Sequence, residues 1–185
     1  MGLGNPGGRY AQSRHNAGFM VVDALAARAG ASFRGGSGPY WGAEVRFAGT
    51  PVLLAKPKTY MNRSGIAARA LLAQHELQPL QLLIVVDDVY LPFGRLRLRP
   101  GGSSGGHNGL ASIEAELQTR EVPRLRLGVG APAGAEELSD HVLADFEADE
   151  LEALPELLER AVAAVELVVE LGVEAARPRV NAPPA

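Results

Sequence analysis

The stretch Gln81-Leu82-Leu83-Ile84-Val85-Val86, which stops at Asp87-Asp88, limits the possible folds more than any other. A short apolar run without alternation predicts a strand buried on both faces, and such a strand needs helices on either side of its sheet. Helical patterns are present to supply them. Ala17–Ala29 sets Phe19, Val22, Leu25 and Ala26 on one face, and Ser64–Glu76 directs Ile66, Ala70 and Leu71 inward. A helical pattern from about Asp149 to Leu171 reads as a long helix closed by Gly172, with Pro155 expected near its first turns, where proline is tolerated. Further strands differ in kind. Ala43–Ala48 and Pro51–Ala55 predict a hairpin about Gly49-Thr50, while Arg95–Arg99 and Arg124–Val129 alternate. Helices and strands in this order, with a hairpin among them, predict an α/β fold: a single-domain three-layer α/β/α sandwich with a mixed central sheet. At 185 residues one core suffices; the domain is expected over 1–176, with 177–185 a frayed, flexible tail.

Carboxylates at the end of a buried strand mark where open α/β sheets gather ligands. Asp87 or Asp88 is therefore placed to accept a hydrogen bond from a histidine, the other serving the turn before Leu91-Pro92-Phe93-Gly94. Of the histidines at 15, 75, 107 and 141, His15 lies between a glycine-rich turn and a helix start, with Asn16 as candidate N-cap. A helix N-terminus disfavours the imidazolium, and a neutral imidazole is what a general base requires. The turn upstream, Gly2-Leu3-Gly4-Asn5-Pro6-Gly7-Gly8, lacks the spacing of a dinucleotide fingerprint. Asn5 within it either holds the backbone or meets a ligand. Tyr60 and Asn62 are expected on a loop before a helix capped by Ser64. Asn108 follows the glycine/serine loop Pro100–Gly106, a candidate lid, and either caps the next helix or faces a substrate.

No cysteine is present, which excludes disulfides and thiolate metal sites and suits a reducing compartment. No apolar run is long enough to span a membrane, and no secretory signal opens the chain. Net charge is −3, but the distribution is uneven: residues 1–130 hold 15 Lys and Arg against 8 Asp and Glu, and residues 131–185 hold 3 against 13. A body of +7 beside a segment of −10 can still offer a cationic face to an anionic partner. Arg97, Arg99 and Arg126 on alternating strands are suited to phosphates. Several amides, one base and one carboxylate, with no metal-ligand cluster and no Ser or Cys nucleophile motif, point to hydrolysis by an activated water.

Gly2-Leu3-Gly4-Asn5-Pro6-Gly7, Tyr10, Arg14-His15-Asn16-Ala17-Gly18, Thr59-Tyr60-Met61-Asn62-Arg63-Ser64-Gly65, Asp87-Asp88 and Gly105-Gly106-His107-Asn108-Gly109-Leu110 together resemble the bacterial peptidyl-tRNA hydrolase family. The match is in order and covers nearly the whole chain. The resemblance implies a cytoplasmic monomer that needs no metal or cofactor. Its implied reaction cleaves the ester between a peptide and the terminal ribose of tRNA, which recycles tRNA from stalled translation. It further implies that His15 is the catalytic base, that Asp87 keeps that base able to accept a proton, and that Asn5 distinguishes blocked from unblocked aminoacyl ends. Tyr10, Tyr60, Asn62 and Asn108 match substrate-contacting positions. Asn62 is favoured as the donor to the oxyanion. Arg97, Arg99 and Arg126 are expected to engage tRNA phosphates.

Three departures from the family pattern carry expectations of their own. Met1 directly precedes Gly2, where the family has several apolar residues of a central strand, so that strand is expected to be truncated or short, with fewer ladder bonds. Val86 and Tyr90 stand where other members carry polar residues, so the surroundings of Asp87 are expected to differ. A noncatalytic RNA-binding protein of the same fold is the main alternative, and a different hydrolase or peptidase is a third; joint presence of His15, Asp87 and Asn62 argues for the enzyme.

Overall fold

The computed structural model describes residues 1–132 and 137–183. The chain runs α1 (Ala17–Arg28), β1 (Arg34–Gly35), β2 (Tyr40–Phe47), β3 (Thr50–Pro57), α2 (Ser64–Gln74), β4 (Ile84–Asp88), β5 (Leu96–Arg99), α3 (Asn108–Leu117), β6 (Arg124–Gly128), α4 (Leu138–Leu143), α5 (Ala148–Leu171) and α6 (Val173–Asn181). Antiparallel β1-β2-β3 and mixed β4-β6-β5 form two three-stranded sheets, with β4 parallel and β5 antiparallel to β6.

Met1–Leu3 stitches these sheets together. Gly2 N donates to Ala55 O at 3.0 Å, while Leu3 N donates to Val85 O and Val85 N to Met1 O, each at 2.9 Å. Three residues therefore occupy the central strand position, pairing there through the single bridge of Gly2 to Val85, so the strand is short, as expected. Packing on it is tight. A Cβ on Gly18 of α1 would lie 2.3 Å from Val85 O and 2.5 Å from Leu3 N, so only glycine lets the helix cross here.

Burial alternates along β4 in the way a two-faced strand requires. Val85 joins a core with α1, α5 and α6, whereas Ile84 and Val86 join a second core with α2, α3 and Met1–Leu3. The expected three layers follow. Inward residues of α2 are Ala67, Ala68, Leu71 and Leu72, a face rotated from the expected one, with Ile66 and Ala70 only half-buried. The β2–β3 hairpin pairs Phe47 with Thr50, so its turn is Ala48-Gly49, both at positive φ, one residue earlier than expected. Gln81 lies in a short 3-10 turn before β4 rather than in the strand.

Two expectations in the C-terminal part need correction. Pro155 is the eighth residue of α5, beyond its first turns; the helix start is instead secured by Glu147 N donating to Glu150 Oε2 at 2.8 Å. Residues 177–181, expected in a frayed tail, complete α6. Asn181 explains why: its Oδ1 accepts from Leu98 N at 2.7 Å and its Nδ2 donates to Leu98 O at 3.1 Å, so it satisfies backbone groups of β5. The last two residues of the expected tail lie outside the described part. Among the described residues no helix is long and apolar enough to cross a membrane.

Candidate active site

Asp87 is the penultimate residue of β4 and is 1% exposed. Both its oxygens lie 2.9 Å from Nδ1 of His15, which sits in the 3-10 turn Arg14–Asn16 that leads into α1. Asp87 Oδ1 is also 3.1 Å from Nε2 of His107, the residue before α3. Burial alone would raise the carboxyl pKa, but electrostatic attraction to His15 and His107 and hydrogen bonds from both rings outweigh it and hold Asp87 well below the usual carboxylate range. An ionised Asp87 accepts the Nδ1 proton of His15 and so leaves Nε2 as the lone-pair nitrogen. No described residue hydrogen-bonds that Nε2. The one fully buried side-chain oxygen or nitrogen without a partner among the described residues is Glu114 Oε1, so His15 Nε2 has access to solvent.

That access is a cleft of about 180 Å³, lined among others by His15, Asp87, Tyr90, His107, Asn108 and Arg126. Of the two candidate aspartates, Asp87 meets His15. Asp88 serves the turn, accepting Tyr90 N at 2.9 Å, and takes Arg126 Nη1 at 3.0 Å.

Asn5 fixes three loops at once. Its backbone N–H donates to Asn16 Oδ1 at 2.8 Å and its carbonyl accepts Asn16 Nδ2 at 3.0 Å, while its own Oδ1 accepts Met61 N at 2.8 Å. Of the alternatives open for this side chain, holding backbone is therefore realised by its oxygen. Asn16, expected as an N-cap, makes no cap bond because its amide is spent on Asn5. Ser64 likewise does not cap α2; its hydroxyl donates to Met61 O at 2.8 Å. Asn108 does not cap α3 either, since His107 Nδ1 accepts Gly109 N and Leu110 N at 3.1 and 3.2 Å.

Tyr60 is 59% exposed, Asn62 is exposed, and Tyr10 is half-buried with Arg9 over its ring. Asn5, Tyr10, Tyr60 and Asn62 are not in the lining of the His15 cleft, whereas Asn108 is. Arg97 and Arg99 are exposed on β5, in register with Arg126 and Arg124 of β6. Those two β6 arginines turn out to be structural in part. Arg124 is 1% exposed and donates to Val122, Arg120, Gly102 and Ser103 carbonyls. Arg126 pairs with Asp88 and donates to Ser103 O and Ser104 O at 3.0 and 3.2 Å. The glycine/serine loop, a candidate lid or a plain exposed connection by its sequence, is anchored by two guanidinium groups.

Sequence reasoning missed His107 and Arg14. Arg14 is 2% exposed and reaches Glu150 Oε2 at 2.6 Å and Asp145 O at 2.9 Å, which pins the His15 turn to the start of α5. The position of His107 directly before an Asn-Gly helix start was the available signal. His15, Asp87 and His107 also form the one set of three close potential metal ligands among the described residues, their ligand atoms within 4.8 Å. Hydrogen bonding to the shared carboxylate accounts for that closeness.

A family model described as peptidyl-tRNA hydrolase matches residues 1–185. Peptidyl-tRNA hydrolase of Chloroflexus aurantiacus (strain ATCC 29366 / DSM 635 / J-10-fl) is 49% identical over 182 residues, covering 98% of this chain and 97% of that protein. The enzyme of the same name from Mycobacterium marinum is 46% identical over 185 residues, with 98% and 96% covered. A crystal structure of peptidyl-tRNA hydrolase from Acinetobacter baumannii matches with a TM-score of 0.91 at 36% identity, covering 98% of this chain and 92% of that one.

Proposed function

The chain belongs to the peptidyl-tRNA hydrolase family, and from that premise we propose that it cleaves the ester joining a peptide, or an N-blocked aminoacyl group, to the terminal ribose of tRNA. One observation carries the mechanism: an imidazole with Nδ1 on a buried carboxylate and Nε2 open to a cleft. His15 Nε2 takes a proton from water, and the resulting hydroxide attacks the ester carbonyl. Asp87 stabilises the imidazolium so formed and keeps the ring in the reactive tautomer. The proton then passes from His15 to the departing ribose oxygen, which returns the base to its starting state.

Neutral amides stabilise the developing oxyanion. Asn62 is the favoured donor, on the loop that Asn5 fixes through Met61, and Asn108 is a second amide within the cleft. Asn5 selects the blocked end, and Tyr10 and Tyr60 contact the substrate. Arg97 and Arg99 engage phosphates, with Arg126 joining them from its place beside Asp88. The enzyme acts in the cytoplasm as a monomer without metal or cofactor, recycling tRNA from stalled translation.

The test compares N-acetyl-aminoacyl-tRNA with unblocked aminoacyl-tRNA under identical conditions. Release of the acyl group from the blocked substrate alone is expected. Tight binding of tRNA with no release from either would favour the RNA-binding alternative instead.

A further inference from the structure

The side chain of His107 is used at both ends. Its Nδ1 accepts the N–H groups of Gly109 and Leu110 at the start of α3, so that nitrogen carries no proton. The ring proton is consequently on Nε2, where it donates to Asp87 Oδ1. Protonating Nδ1 would cost both cap bonds and put a cation at a helix N-terminus. Its plane lies against His15 at a centroid distance of 4.9 Å and a tilt of 52°.

Resting on the proposed reaction, we propose that His107 is a positioning residue. Held in its Nε2–H form by the start of α3, it shares the Asp87 carboxylate with His15 and limits how strongly Asp87 retains His15 in the protonated, unreactive state. The reasoning is electrostatic. A buried carboxylate with a single donor concentrates its charge on that donor; a second donor spreads it. His15 and His107 are the groups that hydrogen-bond the Asp87 side chain among the described residues, while the neighbouring Asp88 is neutralised by Arg126. The Asp87–His15 attraction is therefore set by the presence or absence of the His107 proton. Through the cap, the setting also depends on where α3 begins, and the anchored loop Pro100–Gly106 leads directly into that position.

His107→Asn separates the two uses of the ring. Asparagine caps a helix through Oδ1 as Nδ1 does here, but its shorter amide cannot reach Asp87. His107→Ala removes both. The pH dependence of single-turnover hydrolysis of N-acetyl-aminoacyl-tRNA is measured for the wild-type chain, both variants and His15→Ala, together with thermal midpoints. For His107→Asn the acidic limb is expected to move to higher pH by about half a unit or more, with the thermal midpoint nearly unchanged. For His107→Ala the same limb shift comes with a lower midpoint. An unmoved limb in His107→Asn, with a defect confined to the stability of His107→Ala, would reduce His107 to a helix cap and overturn the proposal. Nitrogen-detected NMR of the wild-type imidazoles needs no activity: a proton on His107 Nδ1 near neutral pH would overturn it as well. Failure of the underlying reaction would look different, as a wild-type chain that releases nothing or a His15→Ala variant that remains active.

Discussion

The carboxylate of Asp87 straddles Nδ1 of His15, with both oxygens at 2.9 Å and the pair buried together at the end of β4. Geometry of this kind leaves one ring nitrogen committed and the other free, which is the division of labour that base catalysis by a neutral imidazole needs.

Acid stability should report the same contact. Asp87 has a folded-state pKa below its unfolded value, so its contribution to stability is complete above the unfolded value of about 4 and is lost as pH falls through the folded one. Asp87→Asn should be less stable than wild type at neutral pH, and the gap should close as pH drops below about 4. Thermal midpoints of both proteins from pH 7 to pH 3 check this; a gap that stays constant over the range contradicts it.

Asn5 is expected to matter for the frame as well as for substrate. Asn5→Ala removes the acceptor for the Met61 N–H and leaves a buried donor unpaired, which should cost about 1–3 kcal/mol. Chemical denaturation measures the loss. A variant as stable as wild type would mean that the Gly2–Gly7 turn and the Tyr60–Asn62 loop hold their places without this bond.

Gly18→Ala is predicted to be a strongly damaging change at the centre of the sheet. The added methyl would collide with backbone atoms of Val85 and Leu3, which no side-chain rotation can relieve, at a cost of at least about 3 kcal/mol. Loss of the cooperative thermal transition, or a midpoint lowered by many degrees, is the expected reading.

Arg97 and Arg99 are the exposed members of the four-arginine face on β5 and β6. Replacing both with alanine should weaken tRNA binding with little regard to sequence. The plot of log affinity against log salt should become shallower by about one unit per lost phosphate contact. The acidic limb of the rate profile should stay where it is, since neither residue hydrogen-bonds Asp87 or His15 in the described structure.

Legibility differed from element to element for physical reasons. The layer order was readable because β4 is apolar at every position that faces a helix layer and because α1 and α5 carry regular periods. Asp87 was readable as one of a pair at a strand end, although nothing local separated it from Asp88; the choice is made by His15, 72 residues away in sequence. Caps were the least legible feature. Asn16, Ser64 and Asn108 all have good capping chemistry, yet Asn16 is taken by Asn5, Ser64 by the carbonyl of Met61, and the cap beside Asn108 is made by His107 accepting from Gly109 N, none of which propensity can see. The end of α6 was hidden for the same reason, since Asn181 is fixed by β5 rather than by its own surroundings. Arg124 reads in sequence like Arg97, and only the carbonyls of Gly102, Ser103, Arg120 and Val122 gathered around its guanidinium distinguish a buried strut from an exposed cation.

The most direct test of the central claim is single-turnover hydrolysis of N-acetyl-aminoacyl-tRNA by the wild-type chain and by His15→Ala, with tRNA binding measured in parallel. Base catalysis at His15 predicts that the variant binds tRNA as the wild type does and loses at least about a hundredfold in rate. A His15→Ala variant that binds tRNA normally and hydrolyses the ester at a rate near that of the wild type would contradict the account.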